Sequence, residues 1–210
     1  MAARHRSRSQ PSPAGPVQSP LRIIGGRLRG RKLLYSGRRD TRPMKDRVRE
    51  ALFNLVGPSV RGQHAIDLFA GTGALGLEAI SRGARSATFV EQHIPTARLI
   101  QQNIELLGLT DACRVERGDA FFWSSDLSGL PATAWLVLCS PPYDFYVSRT
   151  EQMVALIDLF LQQAPAGSTI VVEADPRFDF QRLPHASQWD VRPYPPAVLG
   201  IYRLPPATDD

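Results

Sequence analysis

Ten consecutive residues, Asp67-Leu68-Phe69-Ala70-Gly71-Thr72-Gly73-Ala74-Leu75-Gly76, set a carboxylate directly ahead of a G-x-G-x-x-G run, and Glu91 follows Gly71 by 20 residues. Glycines so spaced let a ligand approach the backbone at a strand-to-helix turn, and an acid about 20 residues further on can bond a ribose hydroxyl. The charge of the ligand separates two cofactors. A dinucleotide offers a pyrophosphate, which seeks bare amides at a helix N-terminus; Asp67 repels it. S-adenosylmethionine offers a cationic amino group and a sulfonium, for which a carboxylate here is favourable. Asp119, in Arg117-Gly118-Asp119-Ala120, adds a third acid suited to an adenine amino group, and it is equally a helix N-cap residue. Together the acids favour S-adenosylmethionine; an NAD-dependent oxidoreductase is the distant alternative.

Further along stands Ser140-Pro141-Pro142-Tyr143. Exocyclic amines of bases are poor nucleophiles because the nitrogen lone pair is delocalised into the ring. A site that methylates them must place hydrogen-bond acceptors on the N–H groups so that the nitrogen can rehybridise. Asp or Asn followed by Pro-Pro and an aromatic residue does this: a side-chain oxygen and a backbone carbonyl accept, the prolines stiffen the loop, and the ring stacks on the base. Three positions of this chain fit; the first carries a serine.

A sheet is needed to bring such distant residues together, and the hydrophobic pattern supplies one. Short apolar runs suited to buried strands occur at 65–70, 87–90, 113–115, 134–139 and 168–173, with helical patterns at 74–82, 95–107, 119–124 and 148–163 between them. Strand and helix in alternation imply right-handed crossovers and a mainly parallel sheet covered on both faces. Two final strands, 188–194 and 197–204, flank Pro195-Pro196 and predict a closing hairpin. Upstream, Asp46 is a candidate N-cap for a helix over 47–56, with Val48, Leu52, Leu55 and Val56 on one face and Arg47, Arg49 and Glu50 left for the other side or for a site.

Charge is unevenly distributed. Residues 1–50 hold 14 Lys/Arg against 3 Asp/Glu, a local +11, whereas residues 51–210 hold 11 against 17, a local −6. A basic segment ahead of an acidic body suits a polyanion such as nucleic acid, since phosphate contacts release counterions. A solvated tail is the plainer alternative. Residues 1–20 carry almost no large apolar side chains and read as a disordered basic tail. Residues 21–45 alternate basic and apolar residues around Gly25-Gly26 and Gly30, which predicts a small basic β-hairpin and linker; 46–204 form the main domain and 205–210 a flexible tail. Cys113 and Cys139 lack a disulfide framework or metal spacing and read as buried thiols. His64, His93 and His185 are scattered without partners at ligand spacing, so they read as surface or capped histidines and no metal is expected; Trp123, Trp135 and Trp189 read as packing residues. No signal-peptide core or membrane span is evident, and a cytoplasmic soluble protein is expected.

Taken together, the motifs resemble the RsmD family of 16S ribosomal RNA guanine-N2 methyltransferases over roughly residues 22–204. The likeness rests on Arg22-Ile23-Ile24-Gly25-Gly26, on Arg29-Gly30-Arg31-Lys32-Leu33, on Arg42-Pro43 with Asp46-Arg47-Val48-Arg49-Glu50-Ala51-Leu52-Phe53-Asn54, and on residues 67–79. The resemblance implies a Rossmann-like class I α/β methyltransferase with a seven-stranded sheet, acting as a monomer on 16S rRNA in the small subunit. It places Asp67, Phe69, Ala70, Gly71, Gly73, Glu91, Asp119 and Ala120 around S-adenosylmethionine, and Ser140, Pro141, Pro142 and Tyr143 at the target base. It puts Arg22, Arg27, Arg29, Arg31, Lys32, Arg42 and Arg47 on the RNA. Met44 and Lys45 depart from the Thr or Ser usual after Arg-Pro, and Ser140 replaces the usual Asp. Three outcomes follow for Ser140: turnover through its hydroxyl and the Pro141 carbonyl, rescue by a neighbouring acid such as Asp144, or a protein that binds both ligands without turnover.

Overall fold

The structure, a computed structural model, describes residues 21–37 and 43–207. Their strands are β1 (His64–Asp67), β2 (Ser86–Glu91), β3 (Cys113–Arg117), β4 (Trp135–Cys139), β5 (Thr169–Ala174), β6 (Asp190–Tyr194) and β7 (Ala197–Arg203). The helices are α1 (Asp46–Val56), α2 (Ala74–Ser81), α3 (Ile94–Leu106), α4 (Ala120–Trp123), α5 (Phe145–Ser148) and α6 (Thr150–Gln163). All seven strands form one sheet in the order β3-β2-β1-β4-β5-β7-β6, parallel except for β7, which runs antiparallel to β5 and β6. Side chains of successive strand residues point to opposite faces. Leu136 and Leu138 therefore enter the core with α1, α2 and α3, whereas Val137 and Cys139 enter the one beneath α6. The order reverses between β1 and β4, and ligands of open α/β sheets bind at the carboxyl ends of strands flanking such a point. β4 ends where Pro141 and Pro142 follow, since proline cannot donate to a ladder.

The sheet and its closing hairpin match the expected architecture, and three local points go beyond the expectation or correct it. Residues 21–34 pair as the expected small antiparallel hairpin, with Arg22 bridged to Lys32 and backbone bonds of 2.9 Å from Ile23 to Arg31, Gly30 to Ile23 and Leu33 to Leu21, and this hairpin is docked on the body. Other amides of the segment reach the body: Ile24 and Gly25 donate to Glu78 at 2.9 and 2.7 Å, Leu28 to Ser81 Oγ at 2.9 Å, and Leu34 to Asn103 Oδ1 at 2.7 Å. Leu21, Ile23 and Leu33 are buried in the core, and Gly26 (φ 73°) crosses so close to α2 that a Cβ would meet the Ser81 carbonyl at 1.9 Å. Secondly, Asp46 is the first residue of α1 and not its cap; Lys45 holds that position without a side-chain bond. The Asp46 carboxylate instead accepts from Arg22 Nε at 3.3 Å and Arg49 Nη2 at 2.9 Å. Thirdly, Arg49 is fully buried: its Nη2 also donates to the Arg22 carbonyl at 2.7 Å, and its Nε lies 3.8 Å from Glu78. This cation ties the N-terminal segment to α1 and α2 and is available to no ligand.

Smaller differences are local. The helical pattern at 148–163 is divided at Arg149, whose guanidinium lies over the Phe145 ring at 4.6 Å and the Phe121 ring at 5.7 Å. His64 is a core residue, with Nδ1 2.8 Å from Ser86 Oγ and Nε2 3.0 Å from Thr88 Oγ1, and burial lowers its pKa to about 4. Trp135 and Trp189 are buried and Trp123 packs beside them. Burial pushes the thiols of Cys113 and Cys139 up to about 12. No helix among the described residues is long and apolar enough to cross a membrane. The expected tail at 1–20, Arg42 and residues 208–210 lie outside the described residues.

Candidate active site

A cavity of about 800 Å³ opens at the carboxyl ends of β1, β2, β4 and β5. Phe69, Ala70, Gly71, Glu91, Asp119, Ala120, Ser140, Pro141, Pro142 and Tyr143 all line it, so residues spread over 75 positions of the chain converge as expected. Asp67 and Gly73 are not among the lining residues. Asp67 is buried at the end of β1, directly before Leu68, Phe69 and Ala70; Gly73 (φ 73°) caps α2.

At one end of the cavity the acids grip backbone. Asp67 Oδ2 accepts from the Gly76 amide at 2.9 Å, and Glu91 accepts from Gly71 at 2.8 Å and from His93 at 2.7 Å. Asp119 Oδ1 accepts from Phe121 at 2.8 Å, realising the N-cap of α4 while the residue also lines the cavity. The glycine turn is thereby braced from two strands. Gly76 has no room for a side chain, because a Cβ would lie 2.3 Å from the Phe89 ring. Asp67 Oδ1 is buried and has no hydrogen-bond partner. Burial raises the Asp67 carboxyl to about 7, with the Gly76 bond acting against the shift and the charge of Glu91 adding to it. A buried carboxylate oxygen without a partner is costly unless a donor or cation joins it. That oxygen lies behind the residues that line the cavity, where a donor or cation would offset its burial and a pyrophosphate would not.

At the other end the groups are side chains. Ser140 Oγ donates to Glu173 Oε2, and the Tyr143 hydroxyl donates to Glu173 Oε1 at 2.8 Å. Glu173 lies on β5, is 6% exposed and lines the cavity. Burial raises its carboxyl and the two hydroxyl donors partly offset the shift. Asp144, named in one of the three outcomes for Ser140 as a rescuing acid, does not line the cavity. Its side chain is 84% exposed and accepts from Arg177 at 3.0 Å.

Sequence reasoning missed Glu173 and Phe145. Phe145 lines the cavity and forms an aromatic cluster with Phe69 and Phe121, ring centroids 6.0 and 6.2 Å away. Glu173 had a usable signal: like Asp67 and Glu91, it is an acid closing an apolar strand. His93 also proves to be a lining residue, with Nδ1 2.8 Å from Thr96 Oγ1.

The basic residues of the N-terminal segment do not line the cavity: the segment packs at the C-terminal ends of α2 and α3, with Leu28 bonded to Ser81 and Arg31 to the Leu106 carbonyl. Arg22, Arg27, Arg29, Arg31, Lys32 and Arg47 are exposed. The chain then enters the cavity wall at Pro43, Met44 and Lys45, the positions that depart from the family pattern.

Comparison with known proteins agrees with this arrangement. The family model described as Conserved hypothetical protein 95 matches residues 21–193. Ribosomal RNA small subunit methyltransferase D of Escherichia coli strain K12 is 40% identical over 123 residues, which cover 59% of this chain and 60% of that relative. The match thus spans less than two thirds of that relative's length. The protein of the same name from Haemophilus influenzae is 36% identical over 150 residues, 67% of this chain and 75% of the relative. Among solved structures, the Escherichia coli yhhF protein is similar with a TM-score of 0.71 and 30% identity, covering 89% of this chain and 99% of the other. These likenesses establish the Rossmann-like methyltransferase fold expected from the sequence.

Proposed function

The chain belongs to the RsmD family, Conserved hypothetical protein 95, and from that premise we propose that it transfers a methyl group from S-adenosylmethionine to the exocyclic N2 of a guanine in 16S rRNA of the small ribosomal subunit. The observation that carries this reading is one cavity with two complementary ends: an orphaned carboxylate oxygen behind a braced glycine turn, and a Pro-Pro-Tyr loop beside a buried acid. Asp67 and the Gly71 turn fit the cationic methionine end of the cofactor, Glu91 the ribose, and Asp119 with Ala120 the adenine. Bound there, S-adenosylmethionine supplies a methyl on a positively charged sulfur, an electrophile that needs no further activation.

The protein's own residues present the acceptor. Pro141 and Pro142 fix the backbone after β4, and Tyr143 offers a ring on which a flat base can stack. Ser140 supplies an oxygen to an N–H of the amine. Exposed Arg27, Arg29, Arg31, Lys32 and Arg47 supply sequence-independent affinity for phosphates of the RNA outside the cavity. The acting unit is a single copy of the chain in the cytoplasm. Small subunits lacking the modification, incubated with protein and labelled cofactor, test the reading. N2-methylguanosine is expected after nucleoside digestion; label on a different atom or base, or on ribose, contradicts the assignment.

A further inference from the structure

β4 and β5 are parallel neighbours with Cys139 paired to Val172, so the next residue of each strand, Ser140 and Glu173, emerges side by side at the cavity. The acidic function missing from the tetrapeptide is therefore present on the adjacent strand. A serine hydroxyl has one proton to place before its lone pairs can serve an incoming N–H group. Here that proton is placed on Glu173 Oε2, while the Tyr143 hydroxyl holds the other carboxylate oxygen. Glu173 thus fixes both side chains that face the target base.

Resting on the function proposed above, we propose that Glu173 is a positioning residue that makes Ser140 a hydrogen-bond acceptor for the target amine and receives, through Ser140, the proton that the amine loses. The nitrogen forms its N–C bond with its own lone pair, the methyl's bond to sulfur breaks with the electron pair going to sulfur, and the nitrogen is left with one proton in excess. That proton passes to Ser140 Oγ as the hydroxyl's own proton passes to Glu173, which later loses it to solvent. Charge and atoms balance without another reactant. Burial raises the Glu173 carboxyl, with the Ser140 and Tyr143 hydroxyls acting against the shift, and so favours its taking up a proton. The titratable groups facing it are Tyr143, Cys139 and Tyr146, and burial keeps the latter two neutral; across β7 its partner is Leu199.

The test compares wild type with Glu173→Gln, Ser140→Ala and Ser140→Asp in single-turnover methyl transfer to unmodified small subunits across pH. Thermal melting and calorimetric binding of S-adenosylhomocysteine verify that each variant folds and keeps its cofactor site. Glu173→Gln and Ser140→Ala are expected to slow transfer by about 100-fold with cofactor binding retained. The rise of the wild-type rate with pH, reporting the Glu173 carboxylate, is expected to disappear in Glu173→Gln. Ser140→Asp is expected to gain nothing, because two adjacent carboxylates cannot both ionise readily. A readout independent of turnover is carboxyl ¹³C NMR: wild type is expected to show two signals with raised titration, those of Asp67 and Glu173, of which Glu173→Gln loses one and Asp67→Asn the other. An active wild type with a folded Glu173→Gln of equal rate and unchanged pH profile overturns the role of Glu173 and leaves the proposed function standing. An inert wild type made active by Ser140→Asp also overturns it, while supporting the substrate. If both wild type and Ser140→Asp bind cofactor and transfer nothing, the function itself fails and takes the inference with it.

Discussion

The two ends of the cavity are organised by different materials. At the ends of β1, β2 and β3, the carboxylates of Asp67, Glu91 and Asp119 each hold backbone amides, so the proposed cofactor contacts and the course of the chain depend on the same groups. At the ends of β4 and β5, Glu173 holds two side-chain hydroxyls, and no backbone amide among the described residues depends on it. The lesson concerns exchangeability. Side-chain groups can be redistributed between neighbouring strands, with serine on one and an acid on the next, without moving the main chain. Groups that brace a glycine turn cannot.

Four experiments sharpen or break that contrast. Asp67→Ala removes both the Gly76 brace and the orphaned oxygen, and is expected to abolish cofactor binding and cut transfer by about 1,000-fold or more; calorimetric binding near the wild-type affinity contradicts it. Gly76→Ala forces a methyl against the Phe89 ring and is expected to destabilise the fold by about 1–3 kcal/mol, read by urea unfolding. The third probe is pH. Because the folded Asp67 carboxyl is raised to about 7, above its unfolded value of 3.8, the empty protein favours the neutral acid. Its stabilising contribution is present below the unfolded value and declines as pH rises through about 7. A cationic ligand group reverses the preference, so affinity for S-adenosylmethionine, which carries a sulfonium and an ammonium, is expected to rise by up to about tenfold per pH unit below that point and then level. Asp67→Asn is expected to flatten the profile. The smallest effect is expected for Tyr143→Phe, which removes one hydrogen bond to Glu173 worth about 1 kcal/mol. Its transfer rate is expected to fall less than tenfold, with cofactor affinity unchanged; loss of cofactor binding would merge the two ends into one unit.

The legible parts of the fold were those with local signals. Apolar runs such as 134–139 have no alternative to a buried strand once Pro141 follows, and the acid before the glycines at Asp67 marks the strand-to-helix turn that it braces through the Gly76 amide. Parts that depend on tertiary register were not legible. Glu173 stands 33 residues from Ser140, and only the parallel pairing of β4 with β5 makes them neighbours. Arg49 carries every mark of a solvent-facing helix position, yet its partners are the carbonyl of Arg22 and the carboxylates of Asp46 and Glu78. The 21–34 segment pairs as the hairpin its composition suggests, but its docking was not legible: the amides of Ile24, Leu28 and Leu34 are taken by Glu78, Ser81 and Asn103 of the distant α2 and α3. Asp144 was the nearest acid in sequence to Ser140, and proximity in sequence is a poor guide where a loop turns outward after Tyr143.

The central claim, that the acceptor end owes its acid to Glu173, is tested most directly by moving the carboxylate back across the strands. In single-turnover transfer to unmodified small subunits, the double variant Ser140→Asp, Glu173→Gln removes the mutual repulsion of two acids and restores one charge beside Tyr143. The expected result is a rate at least about tenfold above that of Glu173→Gln alone. A folded, cofactor-binding double variant no faster than Glu173→Gln contradicts the claim.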